Sequence, residues 1–185
     1  MINHELDPRA ARDFLSKPFD HIDTAVLSGA PDLQQLSWAA GLPYEVAFYE
    51  FGSKWYTLRG TEGGIPMVAI PVRSTNFIHS HPTFLTEDAS IVAIPSLLDF
   101  HNIRVGINAF ITSSVGITQY FPPEDHNVRR EVEREIEAFR PRFNHPSSLS
   151  EYLKFMDENK LRYEVHLWES MTEEKLQALL HTSIA

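Results

Sequence analysis

The spacing of hydrophobic and polar positions changes period several times along the chain, and each change predicts an element. The first forty residues read as helical. In "PDLQQLSWAAG", Leu33, Leu36 and Ala40 recur at helical spacing, Pro31 suits a first turn and Gly41 a C′ position. From Tyr44 the pattern turns β-rich. "YEVAFYEF", the Gly52-Ser53 turn and "KWYTLRG" predict a hairpin over residues 44–60. "GIPMVAIPV" and "TNFIHS" read as the next two strands, followed by a loop carrying Thr86, Glu87 and Asp88. "SLLDFHNIRVG" reads as a helix ended by Gly106, with Leu97, Leu98, Ile103 and Val105 available to a core. "NAFITSSVGITQYF" predicts two strands around a Ser-Ser-Val-Gly turn.

Past Pro122-Pro123 the composition becomes charged. "EDHNVRREVEREIEAFRPRF" is a helix with Val128, Val132, Ile136 and Phe139 on one face, its Glu131, Glu133, Glu135 and Glu137 interleaved with arginines as a solvated face. A second helix, "SSLSEYLKFMDENK", has Ser148 and Glu151 spaced as a capping box; "LRYEVHLWE" alternates as a strand, and Ser170 with Glu173 caps a last helix. The order of elements predicts a mixed α/β (α+β) fold in a single domain over residues 1–185. Its centre spans about 40–123, and a helix-helix-strand-helix appendage spans about 124–185.

Composition narrows the chemistry. No cysteine is present, so disulfides, thiolate nucleophiles and thiolate zinc sites are excluded together, and a metal must be held by His, Asp or Glu. A formal charge of −9 argues against a phosphate-tracking surface, and no nucleic-acid partner is expected. No apolar run approaches the ~18 residues that cross a bilayer, and "MINHELDPRAARDF" lacks the apolar stretch of a signal peptide. A cytoplasmic protein with no membrane partner is the expectation.

The candidate chemistry sits in "NFIHSHPTFLTEDASIVAIPSLLDF". His79 and His81, at i and i+2 on a strand end, project to one face and can reach a single ion. The plainer reading is two partly exposed histidines. Ser96 and Asp99 form a Ser-x-x-Asp capping box, which alone explains both residues, yet the same geometry presents a carboxylate from the first helical turn, where a third ligand is needed. The two readings are compatible. His101, two residues past Asp99, diverges on the helix and is read as a non-ligand. The remaining histidines are scattered without ligand spacing, and Trp38, Trp55 and Trp168 are core candidates.

His79-Ser80-His81-Pro82 followed by Ser96-Leu97-Leu98-Asp99 resembles the motif of the JAMM (MPN+, JAB-like) zinc metalloproteases, and the resemblance extends over roughly residues 40–123. One feature departs from that family. Ten residues usually separate the second His from the Asp; here sixteen, Thr83 to Leu98, follow Pro82, and Val92 stands at the usual position of the Asp. Either the loop has grown or the site is broken. Growth is the reading adopted, because Pro95, Ser96 and Asp99 keep their mutual spacing while Asp88 lacks a Ser three residues earlier.

The resemblance implies a central mixed sheet flanked by helices, with extra helical elements at both ends. It implies Zn²⁺ held by His79, His81 and Asp99, Ser96 steadying an oxyanion, and an earlier-strand Glu as general base. Glu45, Glu50 and Glu62 are the candidates for that base. Glu45 and Glu50 differ by an odd number and point to opposite faces of one strand, and Glu45, which opens the strand as the family's Glu does, is chosen, with Glu50 next. The implied activity is hydrolysis of a peptide or ubiquitin-like isopeptide bond, with a protein or peptide partner. A metal-free binding scaffold, or an effector domain delivered into another cell, is the competing reading. Phosphoesterases also use His-x-His, but their further His and Asp ligands are not located here.

Overall fold

The computed structural model describes residues 5–6, 24–60, 64–65, 69–82, 93–103, 105–139 and 146–182. The class is mixed α/β, as expected. Strands β1 (Glu5–Leu6), β2 (Thr24–Leu27), β3 (Val46–Phe51), β4 (Lys54–Arg59), β5 (Asn76–Ser80), β6 (Asn108–Thr112), β7 (Gly116–Phe121) and β8 (Arg162–Leu167) form one sheet. Its order is β1-β2-β4-β3-β5-β6-β7-β8. The β1–β2 and β5–β6 pairs are parallel and the rest antiparallel.

The central strands are buried on both sides, which is why "NFIHS" and "NAFIT" do not alternate in hydrophobicity. Strand parity divides their side chains between two cores. Ala47, Tyr49, Phe77, Ala109, Ile111 and Tyr120 belong to one face. That face is covered by α2 (Leu97–Asn102), α3 (His126–Phe139) and α4 (Pro146–Glu158), which contribute Leu97, Phe100, Val132, Tyr152 and Met156. Val46, Phe48, Ile78, Phe110 and Ile117 face the other way, under α1 (Leu33–Ala40) and α5 (Glu173–Leu180).

Parallel β5 and β6 cannot be joined by a tight turn, so the chain between them must cross over a face of the sheet. Helix α2 lies in that crossover. Residues 126–182 complete the architecture: β8 pairs with β7 along six residues, and α3 and α4 pack into the core beneath α2.

The hairpin of β3 and β4 forms as predicted. Gly52 and Ser53 both take positive φ (58° and 61°), the geometry of a two-residue turn matched to strand twist. Other expectations are corrected. Residues 24–27 are strand, so the first forty residues are not all helical; "TAVL" is too short to show a period. In "GIPMVAIPV" no described residue extends a strand beyond a bridge at Gly64. Residues 66–68 lie outside the described set, and Pro71, which has no ladder donor, begins a turn closed by Ser74. Helix α2 stops at Asn102, well before Gly106; Leu98, on its outer face, and Val105, beyond its end, are exposed at 43% and 56% while Leu97 and Ile103 enter the core. Gly41 caps α1 in an ordinary right-handed conformation, with Asp32 and Gln35 forming the capping box at the other end. Ser148 lies inside α4. Thr172, not Ser170, caps α5, accepting from Lys175 N–H. The side chain of Phe139 and the residues Glu62, Asp88 and Val92 lie outside the described set.

Candidate metal centre

His79 is the fourth residue of β5 and is buried between Phe77, whose ring stacks on it at 5.3 Å, and Tyr120, edge-on at 6.2 Å. His81 follows two residues on, where its N–H donates to Thr112 O at 2.9 Å and extends the β5–β6 ladder past the end of the strand. That bond keeps residues 79 and 81 in phase, so both rings rise on the face under the crossover. Asp99 comes down from α2. The Ser96 hydroxyl accepts from Asp99 N–H at 3.2 Å, and Ser96 N–H donates to Asp99 Oδ2 at 2.6 Å, a complete capping box.

The three side chains meet. His79 Nε2 lies 3.0 Å from Asp99 Oδ1 and 3.1 Å from His81 Nε2, and His81 Nε2 lies 3.4 Å from Asp99 Oδ2. Four ligands at the ~2.0–2.1 Å bond lengths of Zn²⁺ in a tetrahedron stand about 3.3 Å apart, and the separations from His79 Nε2 to His81 Nε2 and to Asp99 Oδ1 are close to such edges, while the 3.4 Å contact of His81 is to the other carboxylate oxygen. One ligand atom from each residue lies within 4.8 Å of the other two, and the group could hold a metal. The hard and borderline donors, two imidazoles and a carboxylate, suit zinc among other divalent ions.

The charges are arranged to keep the carboxylate ionised. Burial raises the pKa of Asp99, but the positive potential and hydrogen bonds of His79 and His81 outweigh it and hold the carboxyl well below its usual range. Burial, together with the nearby charges of Asp99 and Glu45, pushes Tyr120 well above the ordinary phenol value. Tyr152 is raised in the same way by burial and then by Asp99. Both phenols therefore stay protonated at neutral pH and keep an O–H to donate.

Glu45 belongs to the same neighbourhood. It lies one residue before β3 and two before Ala47, which pairs with His79, and its charge is close enough to act on Tyr120. Its Oε2 accepts the Ile65 N–H at 3.1 Å. Gly64, at φ +111°, lets the backbone approach that carboxylate: a Cβ there would stand 3.4 Å from Oε2. Glu50 is elsewhere. Its carboxylate accepts from Thr75 Oγ1 at 2.7 Å and Asn76 Nδ2 at 2.6 Å at the far end of the hairpin. His101 is half-exposed beside Glu133, apart from the group.

The sequence reading missed Tyr120, Tyr152 and Thr118. Thr118 Oγ1 donates to Ala93 O at 2.7 Å, and the Tyr152 hydroxyl donates to Pro95 O, so both hold the chain that leads into Ser96. Strand alternation puts Thr118 and Tyr120 on one face, but nothing in the sequence says which face carries the histidines. Among the described residues no helix is long and apolar enough to cross a membrane. Comparison with protein-family models, with curated proteins and with solved structures finds no match for this chain.

Proposed function

We propose that the chain is a zinc-dependent peptidase or isopeptidase of the JAMM type, acting on a protein or peptide substrate that includes ubiquitin-like tails. The observation that carries the reading is the convergence of His79, His81 and Asp99, with a ligand atom of each within 4.8 Å of the others, and with Glu45 two residues before Ala47, the strand partner of His79. Zn²⁺ bound there supplies Lewis acidity, which acidifies water and polarises a carbonyl at neutral pH.

The chain's own residues do the rest. Glu45 is no member of the ligand group, and Ile65 N–H engages its Oε2. Oε1 is thereby left to take a proton from the attacking water and return it to the leaving amine. Ser96 accepts in its cap, so its hydroxyl proton remains to be donated to the oxyanion of the tetrahedral intermediate. Buried Phe77 and Tyr120 shield the His79 ring from solvent, which strengthens each electrostatic contact around it.

Elemental analysis of protein purified without a His tag, paired with hydrolysis of fluorogenic peptides and ubiquitin-like isopeptide conjugates, tests the reading. About one zinc per chain and chelator-sensitive cleavage are expected. Glu45→Gln should keep the zinc and lose activity by 10²-fold or more. Full activity in Glu45→Gln with a dead Glu50→Gln would transfer the base to Glu50, and a folded chain that takes up no metal would make the domain a binding scaffold.

A further inference from the structure

A chain of hydrogen bonds from α4 ends on the third ligand. The Tyr152 hydroxyl donates to the carbonyl of Pro95. The N–H of that same peptide group, on Ser96, donates to Asp99 Oδ2 at 2.6 Å, while Oδ1 faces His79 Nε2 at 3.0 Å. A second hydroxyl, Thr118 Oγ1 on β7, holds Ala93 O at 2.7 Å two residues upstream.

We propose that Tyr152 and Thr118 are positioning residues for the metal centre: they pin the segment from Ala93 to Ser96 so that Asp99 offers Oδ1 to the ion while Oδ2 stays engaged by Ser96 N–H. This rests on the metal-site reading above.

Three physical facts support the assignment. A carboxylate rotates in a broad torsional well, so its ligating oxygen has to be chosen by what holds the other one. A peptide whose carbonyl accepts a hydrogen bond is polarised and donates more strongly through its N–H, so Tyr152 acts on Asp99 through a single peptide unit. And α2 is only six residues long, too short to hold its own first turn in place, so its start must be fixed by tertiary bonds. Tyr152 and Thr118 are both buried, and their partners lie 57 and 25 residues away in sequence. Outer-shell partners of this kind typically alter metal affinity 10–100-fold when removed.

The alternative is that Tyr152 merely fills the core with its ring. Tyr152→Phe keeps the ring and deletes the donor. Zinc titration of the metal-free protein should show affinity weakened by about 10–100-fold, and the visible bands of the Co²⁺-substituted variant should move as the carboxylate turns. Thr118→Val should weaken zinc in the same direction, and Thr118→Ser, which restores the hydroxyl, should recover it. The serine rescue carries the test for the segment if Tyr152→Phe does not fold. Wild-type affinity and an unchanged Co²⁺ spectrum in both hydroxyl-less variants would overturn the inference while leaving the metal site intact. Wild-type protein that binds neither Zn²⁺ nor Co²⁺ would overturn the metal reading itself.

Discussion

Two buried polar clusters occupy opposite faces of the same sheet, and they are built on different arithmetic. On the α5 side, Asn76 Nδ2 donates to Glu50, Asn108 Nδ2 donates to both Asn76 Oδ1 and Leu179 O, and Gln119 Nε2 donates to Asn108 Oδ1, at 2.6–3.0 Å. Each amide nitrogen is matched to an oxygen, and the chain ends by tying α5 to the strands. On the α2 side, two imidazole nitrogens and two carboxylate oxygens converge within 3.0–3.4 Å. Four potential acceptors in one place repel unless a proton or a cation sits among them. The first cluster is closed by amide donors and acceptors of the polypeptide itself; the second closes either by imidazole N–H donation to the carboxylate or around a cation, which its grouping could hold.

The largest expected break in that comparison comes from removing the residues that could hold a cation. Asp99→Ala or His79→Ala should reduce zinc from about one per chain to none at micromolar protein, read by elemental analysis. The wild type should gain about 2.7 kcal/mol of stability at zinc a hundredfold above its Kd, and Asp99→Ala should gain none. Asn108→Ala, in the closed cluster, should bind zinc as the wild type does.

A finer contrast lies in the two hydroxyl caps. Ser96 starts the helix over the open cluster, and Thr172 starts the helix tied to the closed one; each accepts a backbone N–H three residues on, at 3.2 and 3.3 Å. Either residue changed to Ala should cost about 0.5–2 kcal/mol of stability in denaturant titration. Only Ser96→Ala should lower turnover as well, by about 10²-fold, as the loss of an oxyanion donor does. Equal stability losses with unchanged turnover would leave Ser96 a cap and nothing more.

Asn108→Ala should cost stability alone. It strips a donor from Leu179 O and Asn76 Oδ1 and an acceptor from Gln119, and each buried group left unpaired costs about 1–3 kcal/mol. Thermal melts with and without zinc should show the same deficit. A deficit that zinc repairs would mean that the two faces are coupled.

These contrasts also separate what the sequence could reveal from what it could not. His79-Ser80-His81 and Ser96-x-x-Asp99 are short-range signals, because strand period and helix capping work over two or three residues, and a linear reading captures them. The parity argument that divided Glu45 from Glu50 is equally local, and the structure sets the two on opposite faces. The closed cluster had no such signal: Asn76, Asn108 and Gln119 sit on three strands, and their meeting depends on register between β5, β6 and β7. The same holds for Tyr152, whose hydroxyl reaches Pro95 across 57 residues. Residues 24–27 and the helix start at Pro146 were misread because "TAVL" is too brief to display a period and because several serines offered equally good caps. Leu98 is apolar yet exposed, because Leu97 and Phe100 take the face of α2 that enters the core and a short segment does not reveal which face that is.

The smallest expected difference between the clusters is their response to acid. Folding lowers the pKa of Asp99: burial works against ionisation, and the two histidines more than reverse it. A carboxyl lowered on folding contributes stability that is complete above its unfolded value, near pH 3.9, and is lost as pH falls through the folded value well below that. In that window the unfolded chain holds the proton and the folded chain does not. The slope of stability against pH from this one group is then at most about 1.4 kcal/mol per pH unit, with stability falling as acid is added. In metal-free protein, Asp99→Asn should flatten the curve below about pH 4, since the amide cannot titrate. The closed cluster offers a control: Gln119→Leu removes a member that carries no charge, so it should displace the whole curve without changing its slope. A curve that keeps its acid slope in Asp99→Asn would place the responsible carboxyl elsewhere, and the open cluster would then lose its claim to be the charge-dependent half of the sheet.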